Sequence, residues 1–409
     1  MEIVVIGGGY AGLRVVQSLA ARNLQVTLIE PRPEHVLRPR LVAAAAQRMA
    51  LRDVSLPFGR LLPANVRHLR ASAIRFDPDT IEVETDQEAI RADRLVLAMG
   101  AESNPTIPGV ERHGLPLYSL EDLEQVLGSW SRLEEDFKRD RCESESLRWV
   151  IVGGGMTGVA LAAELVHLAR RWRKRYGSLA ETIQIHLVQR SERLLPGWSV
   201  EVSDWVTRWL IRHRVIVQLN TQVRRARPDL LVLSGPDGAT ELATQTFFWA
   251  GGTRPVRLEE EPEGLRTPEG FMQVDSFCRL IEHPRTYAVG DIIQPFNPRT
   301  QQSFAPNTQL AVRAAEAVAL NLVAESQGRA PIPFTPSDER VAFSLGAFDG
   351  IALVDGQELV GTPGWTAAQA ADLLYVNSVQ ASLLIGRFAP ELATLPQALL
   401  EAGREDEQS

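Results

Sequence analysis

The chain has 409 residues, 44% of them hydrophobic and 23% charged, with a formal net charge of −8. That length supports about two to three domains around well-buried cores, and the acidic balance argues against nucleic acid as a main partner, which demands a basic surface. Two cysteines, Cys142 and Cys278, without Cys-x-x-Cys spacing, speak against a disulfide framework or a thiolate metal site.

Met1 leads at once into an apolar run, so no targeting peptide is expected and the cytoplasm is the default location. No stretch approaches the roughly 18 apolar residues of a spanning helix. The first run, Ile3-Val-Val-Ile6, is followed by Gly7-Gly-Gly-Tyr10-Ala11-Gly12, a helix-period segment at about 12–21, and a strand at 25–30. Gly7, Gly9 and Gly12 let the backbone turn sharply, approach a pyrophosphate and pack helix on strand, while the helix N-terminus offers free N–H groups to the phosphates. Glu30 closes the second strand 18 residues after Gly12 (30 − 12), where a carboxylate can accept both hydroxyls of an adenosine ribose.

A helix is expected around 41–49, then a hairpin of strands 69–76 (containing Ala73) and 80–85 about Asp77-Pro-Asp79. The strand at 94–100 ends in Ala98-Met-Gly100, small enough for close backbone approach to a cofactor. Pro105, Pro108 and Gly109 mark a crossover.

The plan then repeats. A strand from Trp149 leads into Gly153-Gly-Gly155-Met156-Thr157-Gly158, a helix at 158–172, a strand at 184–189, a helix at 199–213, alternating residues near 230–234, and a closing strand 246–252 containing Ala250-Gly251. Loop, strand, hairpin and closing strand occur twice in one order, an internal duplication at domain scale. The basic run 170–175 reads as a solvated helix face, and the seven histidines show no ligand spacing, so no metal is expected. Tyr287-Ala-Val-Gly290-Asp291 is a short strand ending in Gly-Asp, followed by a helix at about 307–325, a hairpin at 341–360 and an apolar helix at 367–384. In that last helix Leu373, Leu374, Val376, Val379 and Leu383 are expected to pack on the body or to form a homodimer contact. The fold class is α/β: two Rossmann-like dinucleotide-binding domains plus a small C-terminal α+β region.

These motifs, in this order, resemble the pyridine nucleotide-disulfide oxidoreductase superfamily of two-dinucleotide flavoproteins over about residues 1–330. Arg193-Leu-Leu-Pro-Gly197 and Trp249-Ala-Gly-Gly-Thr-Arg-Pro255 bring the chain closest to type II NAD(P)H:quinone oxidoreductases and their apoptosis-inducing-factor-2-like relatives. The resemblance implies a glutathione-reductase-like arrangement: 1–112 with 254–333 for FAD, 113–253 for NAD(P)H, and 334–409 as the C-terminal hairpin and helix. FAD would lie against Gly7, Gly9, Tyr10, Ala11, Gly12, Glu30, Ala73, Ala98, Gly100, Gly290 and Asp291, with Arg40 of Arg38-Pro-Arg40 near the flavin. NAD(P)H would lie against Gly153, Gly155, Met156, Thr157, Gly158, Gln189, Arg190, Ala250 and Gly251. Thr308 and Gln309 would line the flavin's acceptor face, and the flavin would carry out the reaction, passing electrons to a quinone-like small molecule.

Three departures qualify the resemblance. The acid expected at the second ribose position reads Gln189-Arg190, which removes a charge that repels a 2′-phosphate and adds a bidentate partner for it, favouring NADPH. The family's Thr-Gly-Val-Glu reads Thr157-Gly-Val-Ala160, and its Ala-Gln-x-Ala-x-Gln reads Thr308-Gln-Leu-Ala-Val-Arg313. The helix that carries the redox cysteines of disulfide reductases reads Leu41-Val-Ala-Ala-Ala-Ala-Gln47, so glutathione- or lipoamide-type reduction is excluded, and the placing of Cys142 and Cys278 gives sulfide oxidation little support. Arg38-Pro-Arg40 keeps a ferredoxin- or rubredoxin-type reductase open as an alternative, and the altered second loop keeps open a non-catalytic nucleotide-sensing flavoprotein.

Overall fold

A computed structural model describes residues 1–297, 302–304, 307–336 and 340–388. Glu2–Ile6 is buried along almost its whole length, as a run of β-branched residues must be when parallel neighbours flank it and helices cover the sheet. It lies inside a six-stranded sheet ordered Arg279–Leu280, His283–Ala288, Arg94–Leu97, Glu2–Ile6, Gln25–Ile29, Val66–Leu69. All its pairings are parallel except that of the short edge strand Arg279–Leu280. Sequence-distant strands thus complete the sheet begun by the N-terminus. The helices Tyr10–Ala20 and Thr308–Ser326 pack together beside it.

A second parallel sheet runs Leu115–Pro116, Thr246–Trp249, Arg148–Val152, Gln184–Val188, Val215–Gln218. Its glycine loop again follows an inner strand and opens a helix, Met156–Tyr176. Each unit carries a three-stranded antiparallel appendage: Ala73–Asp77, Glu82–Thr85 and Ala89–Arg91 in the first, Gln222–Ala226, Leu230–Gly235 and Gly238–Ala243 in the second. Two crossing strands, Ala101–Ser103 and Thr253–Pro255, pair antiparallel where the chain leaves one unit and returns from the other.

Several elements differ from the sequence reading. The strand expected at 69–76 is two: Val66–Leu69 closes the parallel sheet, and Ala73–Asp77 opens the appendage. The helix expected at 41–49 is confined to Leu41–Ala45, ending where Gln47 turns left-handed at φ 54. The hairpin at 341–360 is a three-stranded meander, Arg340–Leu345, Asp349–Val354 and Gln357–Gly361.

A 19-residue helix, Leu120–Lys138, went unassigned in the sequence. Its signal was a capping box between Ser119 and Asp122, with buried Leu123, Val126, Trp130, Leu133 and Phe137 at helical spacing. The basic run is not merely solvated: Trp172 is buried, Arg171 donates to the Gln47 carbonyl at 2.9 Å, and Arg173 donates to that of Ile183 at 3.0 Å.

The C-terminal helix Thr362–Phe388 docks on the first unit through Tyr375 and Val379, which are buried. Leu373 and Leu374 do not pack, at 59% and 68% exposed, because they fall on its outer face; the side chain of Leu383 lies outside the described residues. No helix among the described residues is long and apolar enough to cross a membrane.

Candidate functional site

The two glycine loops are built alike, contact for contact. The Gly7 N–H bonds the Ile29 carbonyl at 2.9 Å, and the Gly153 N–H bonds that of Val188 at 2.8 Å. Gly7 and Gly153 sit at φ +102 and +115, and a Cβ on either would lie 2.5 or 2.2 Å from the carbonyl oxygen of Ala98 or Ala250. A Cβ on Gly12 or Gly158 would fall 1.8 Å from the oxygen of Gly7 or Gly153, so only glycine lets helix and strand approach this closely.

Gly9 and Gly155 are different: added Cβ atoms there meet nothing within 4 Å. Both are N-cap residues with no side-chain cap, whereas Ser119, Ser199 and Asn307 cap three long helices elsewhere through their side chains. Two helices therefore begin with backbone donors that no side chain satisfies, facing open space. That is the arrangement a pyrophosphate fits.

Glu30 is 5% exposed and accepts the Gly8 N–H at 2.8 Å; Gln189, 7% exposed, accepts the Gly154 N–H at 3.0 Å. Arg32 donates to the other Glu30 oxygen at 3.1 Å. Arg190 is exposed next to Gln189.

The residues expected at the flavin converge around the first loop. A Cβ on Gly290 would lie 3.1 Å from that of Ala11, and one on Gly100 would lie 3.7 Å from the Arg38 guanidinium. Asp291 is 3.6 Å from Arg38 and accepts the Tyr118 hydroxyl at 3.3 Å. Burial raises its carboxyl pKa, against the lowering pull of Arg38 and Tyr118. A narrow cleft lined by Gly290, Asp291, Phe304, Asn307, Leu310 and Ala311 continues from there, with half-buried Thr308 and Gln309 opening the adjoining helix.

Arg40 lies close enough to the Tyr10 hydroxyl of the first loop to act on it electrostatically, whereas Ala73 stands elsewhere. Arg40 is held by Asp372 of the C-terminal helix at 2.7 Å and donates to the Asp53 carbonyl at 2.8 Å; it is Arg38 that reaches Asp291. Ala73 pairs with Thr85 in the antiparallel appendage rather than in the sheet that carries the loop. In the second unit Met156 and Thr157 open the helix after the loop, and Ala250-Gly251 follow the closing strand, with Ala250 bonded through its N–H to Val152 at 2.8 Å.

Sequence reasoning missed Tyr118, and counted His35 only among seven histidines without ligand spacing. His35, 1% exposed, bonds the Gly8 carbonyl at 3.0 Å through Nδ1, which must carry the proton; Nε2 then accepts from the Tyr375 hydroxyl at 2.8 Å. Burial lowers its pKa to about 4, so the ring is neutral at neutral pH.

The helix Leu41–Ala45 packs among second-unit residues. Trp130 donates to its Ala45 carbonyl at 2.6 Å, and Arg48 just beyond it forms a bidentate pair with buried Glu164. Both cysteines are free thiols, and burial pushes the Cys278 thiol up to about 12.

Fold and site together define a two-dinucleotide α/β oxidoreductase. The chain belongs to the pyridine nucleotide-disulphide oxidoreductase family, whose model matches residues 1–317. It is 26% identical over 372 residues to a type II NADH:quinone oxidoreductase of Staphylococcus haemolyticus, a match covering 88% of this chain and 91% of that protein. Its fold is similar to that of NDH2 from Plasmodium falciparum in complex with NADH, with a TM-score of 0.83 at 16% identity over 95% of this chain and 98% of that one. It is also similar to the sulfide:quinone oxidoreductase of Aquifex aeolicus, with a TM-score of 0.77 at 17% identity over 95% of each chain.

Proposed function

We propose that the chain is an FAD-dependent oxidoreductase that accepts hydride from NAD(P)H and reduces a quinone or quinone-like small molecule. Residues 1–112 with 254–333 would hold the flavin, and 113–253 the nicotinamide nucleotide. The observation that carries the reading is the duplicated loop: two uncapped helix N-termini, each beside a glycine that faces open space, in a family of pyridine-nucleotide enzymes. The quinone acceptor follows the named activity of the Staphylococcus relatives.

In this reading Gly9 and the first helix N-terminus bind the FAD pyrophosphate, Glu30 orients its ribose, and Asp291 with Arg38 sets polarity beside the Gly100 turn. Bound flavin supplies the two-electron chemistry. Gly155 and the second helix N-terminus bind the nicotinamide nucleotide. At its ribose Gln189 presents an uncharged amide and Arg190 an exposed cation, which favours NADPH over NADH. A cysteine-free helix Leu41–Ala45, filled by second-unit contacts, offers no disulfide relay for the electrons.

Steady-state oxidation of NADPH and NADH by a soluble short-chain quinone tests the proposal. Quinone-dependent turnover by the FAD-loaded protein is the expected result. A flavin that nicotinamide reduces but no quinone reoxidises would remove quinone as the acceptor.

A further inference from the structure

Tyr118 does not belong to either glycine loop, yet it reaches into the candidate flavin site. Its hydroxyl accepts from Arg38 and donates to Asp291 at 3.3 Å, and the Arg38 guanidinium lies over its ring at 3.9 Å. Arg38 and Asp291 come from the unit of the first loop. Tyr118 comes from the connector into the second sheet, between the strand Leu115–Pro116 and the cap Ser119.

That connector is fixed. The Tyr118 N–H bonds the Asp122 carboxylate at 2.8 Å, the same carboxylate that receives the Ser119 N–H at 2.9 Å in the capping box. The ring is therefore anchored to Leu120–Lys138, while its hydroxyl and face meet a cation of the other unit.

We propose that Tyr118 is a positioning residue for the flavin: it holds the Arg38 guanidinium against the Gly100 turn and so fixes a cation at the edge of the bound cofactor. The inference rests on the reading that the first unit holds flavin. An arginine on a long rotatable stem is a diffuse charge unless stacking and hydrogen bonding select one rotamer. A fixed cation beside the flavin favours its electron-rich reduced form, so the protein tunes the cofactor's electronics through Arg38 and the arginine's geometry through Tyr118.

The test is a spectroelectrochemical titration of the FAD-loaded protein and its variants, with flavin content measured in parallel. Tyr118→Phe keeps the ring and loses the hydroxyl; Tyr118→Leu loses both. The reduction equilibrium should fall about two- to threefold in Tyr118→Phe and about tenfold in Tyr118→Leu, the latter about 30 mV for a two-electron couple. Arg38→Met should fall at least as far, and adding Tyr118→Leu to it should change nothing more, because the two act through one cation.

Wild-type protein without flavin would overturn the first-unit assignment. Flavin-loaded Tyr118→Phe and Tyr118→Leu with wild-type potentials would overturn the positioning role alone. Additive effects of Arg38→Met and Tyr118→Leu would show that Tyr118 does not act through Arg38. If Tyr118→Leu loses its flavin, Tyr118→Phe against Arg38→Met decides.

Discussion

Glu30 and Gln189 hold the same place in two copies of one turn, each accepting the N–H of the middle glycine of its loop, at 2.8 and 3.0 Å. The hydrogen bond is kept and the charge is not. The Gln189 amide also donates, to the Arg193 carbonyl at 3.4 Å, a contact that a carboxylate there could not make.

A nucleotide preference is expected from that difference. Wild-type protein should show the larger kcat/KM with NADPH, and Gln189→Glu should lower the NADPH value by about tenfold or more while sparing NADH, because a carboxylate repels the 2′-phosphate. A tenfold wild-type preference for NADH would end this reading.

Gly12→Ala and Gly158→Ala should separate the two sites. In each, the new methyl would fall 1.8 Å from a loop carbonyl oxygen, so helix and strand must part. Gly12→Ala is expected to purify without flavin. Gly158→Ala should stay yellow yet be reduced at least about 100-fold more slowly, since misplacement by about an ångström costs that much. Equal flavin content in both, with equal reduction rates, would contradict the assignment.

Local backbone chemistry made these loops legible in sequence: a glycine that must tolerate φ +102, or whose added Cβ would fall 1.8 Å from a carbonyl oxygen, leaves a fixed spacing. The side chains around the candidate flavin site left no such trace. Arg38 and Arg40 are two residues apart, yet Arg38 reaches Asp291 while Arg40 pairs with Asp372, 332 positions beyond it. Tyr118 meets partners 80 and 173 residues away, a distance at which no periodicity speaks. The helix Leu120–Lys138 did carry a readable cap and apolar stripe, hidden among its charged residues.

His35 gives the fold a pH dependence of known sign. Its folded pKa of about 4 lies below the ordinary imidazole value of 6.5, so the unfolded chain binds the extra proton. Stability from this group is complete above about pH 6.5 and is lost progressively as pH falls toward 4, by about 3 kcal/mol in all. Chemical denaturation at pH 7.5 and 5 should show about 2 kcal/mol of that loss in wild type, and a reduced loss in His35→Gln. Tyr375→Phe, which orphans Nε2, should cost about 1 kcal/mol at pH 7.5. Identical pH profiles for wild type and His35→Gln would refute the linkage.

Arg48 and Glu164 tie the first unit to the second. Glu164 has a side chain only 1% exposed, so Arg48→Met strands a buried carboxylate and should destabilise by about 3 kcal/mol. The double variant Arg48→Met with Glu164→Leu should recover much of that loss in thermal or denaturant unfolding. Recovery absent from the double variant would mean the pair is not what holds this junction.

The central claim is that the two loops deliver electrons from a nicotinamide nucleotide to a flavin held by the same chain. Anaerobic stopped-flow absorbance of the flavin, with NADPH and NADH mixed separately, tests it most directly. Rapid bleaching, faster with NADPH, is the expected result. A yellow protein that neither nucleotide reduces would contradict the account and leave a flavoprotein whose second loop no longer feeds the first.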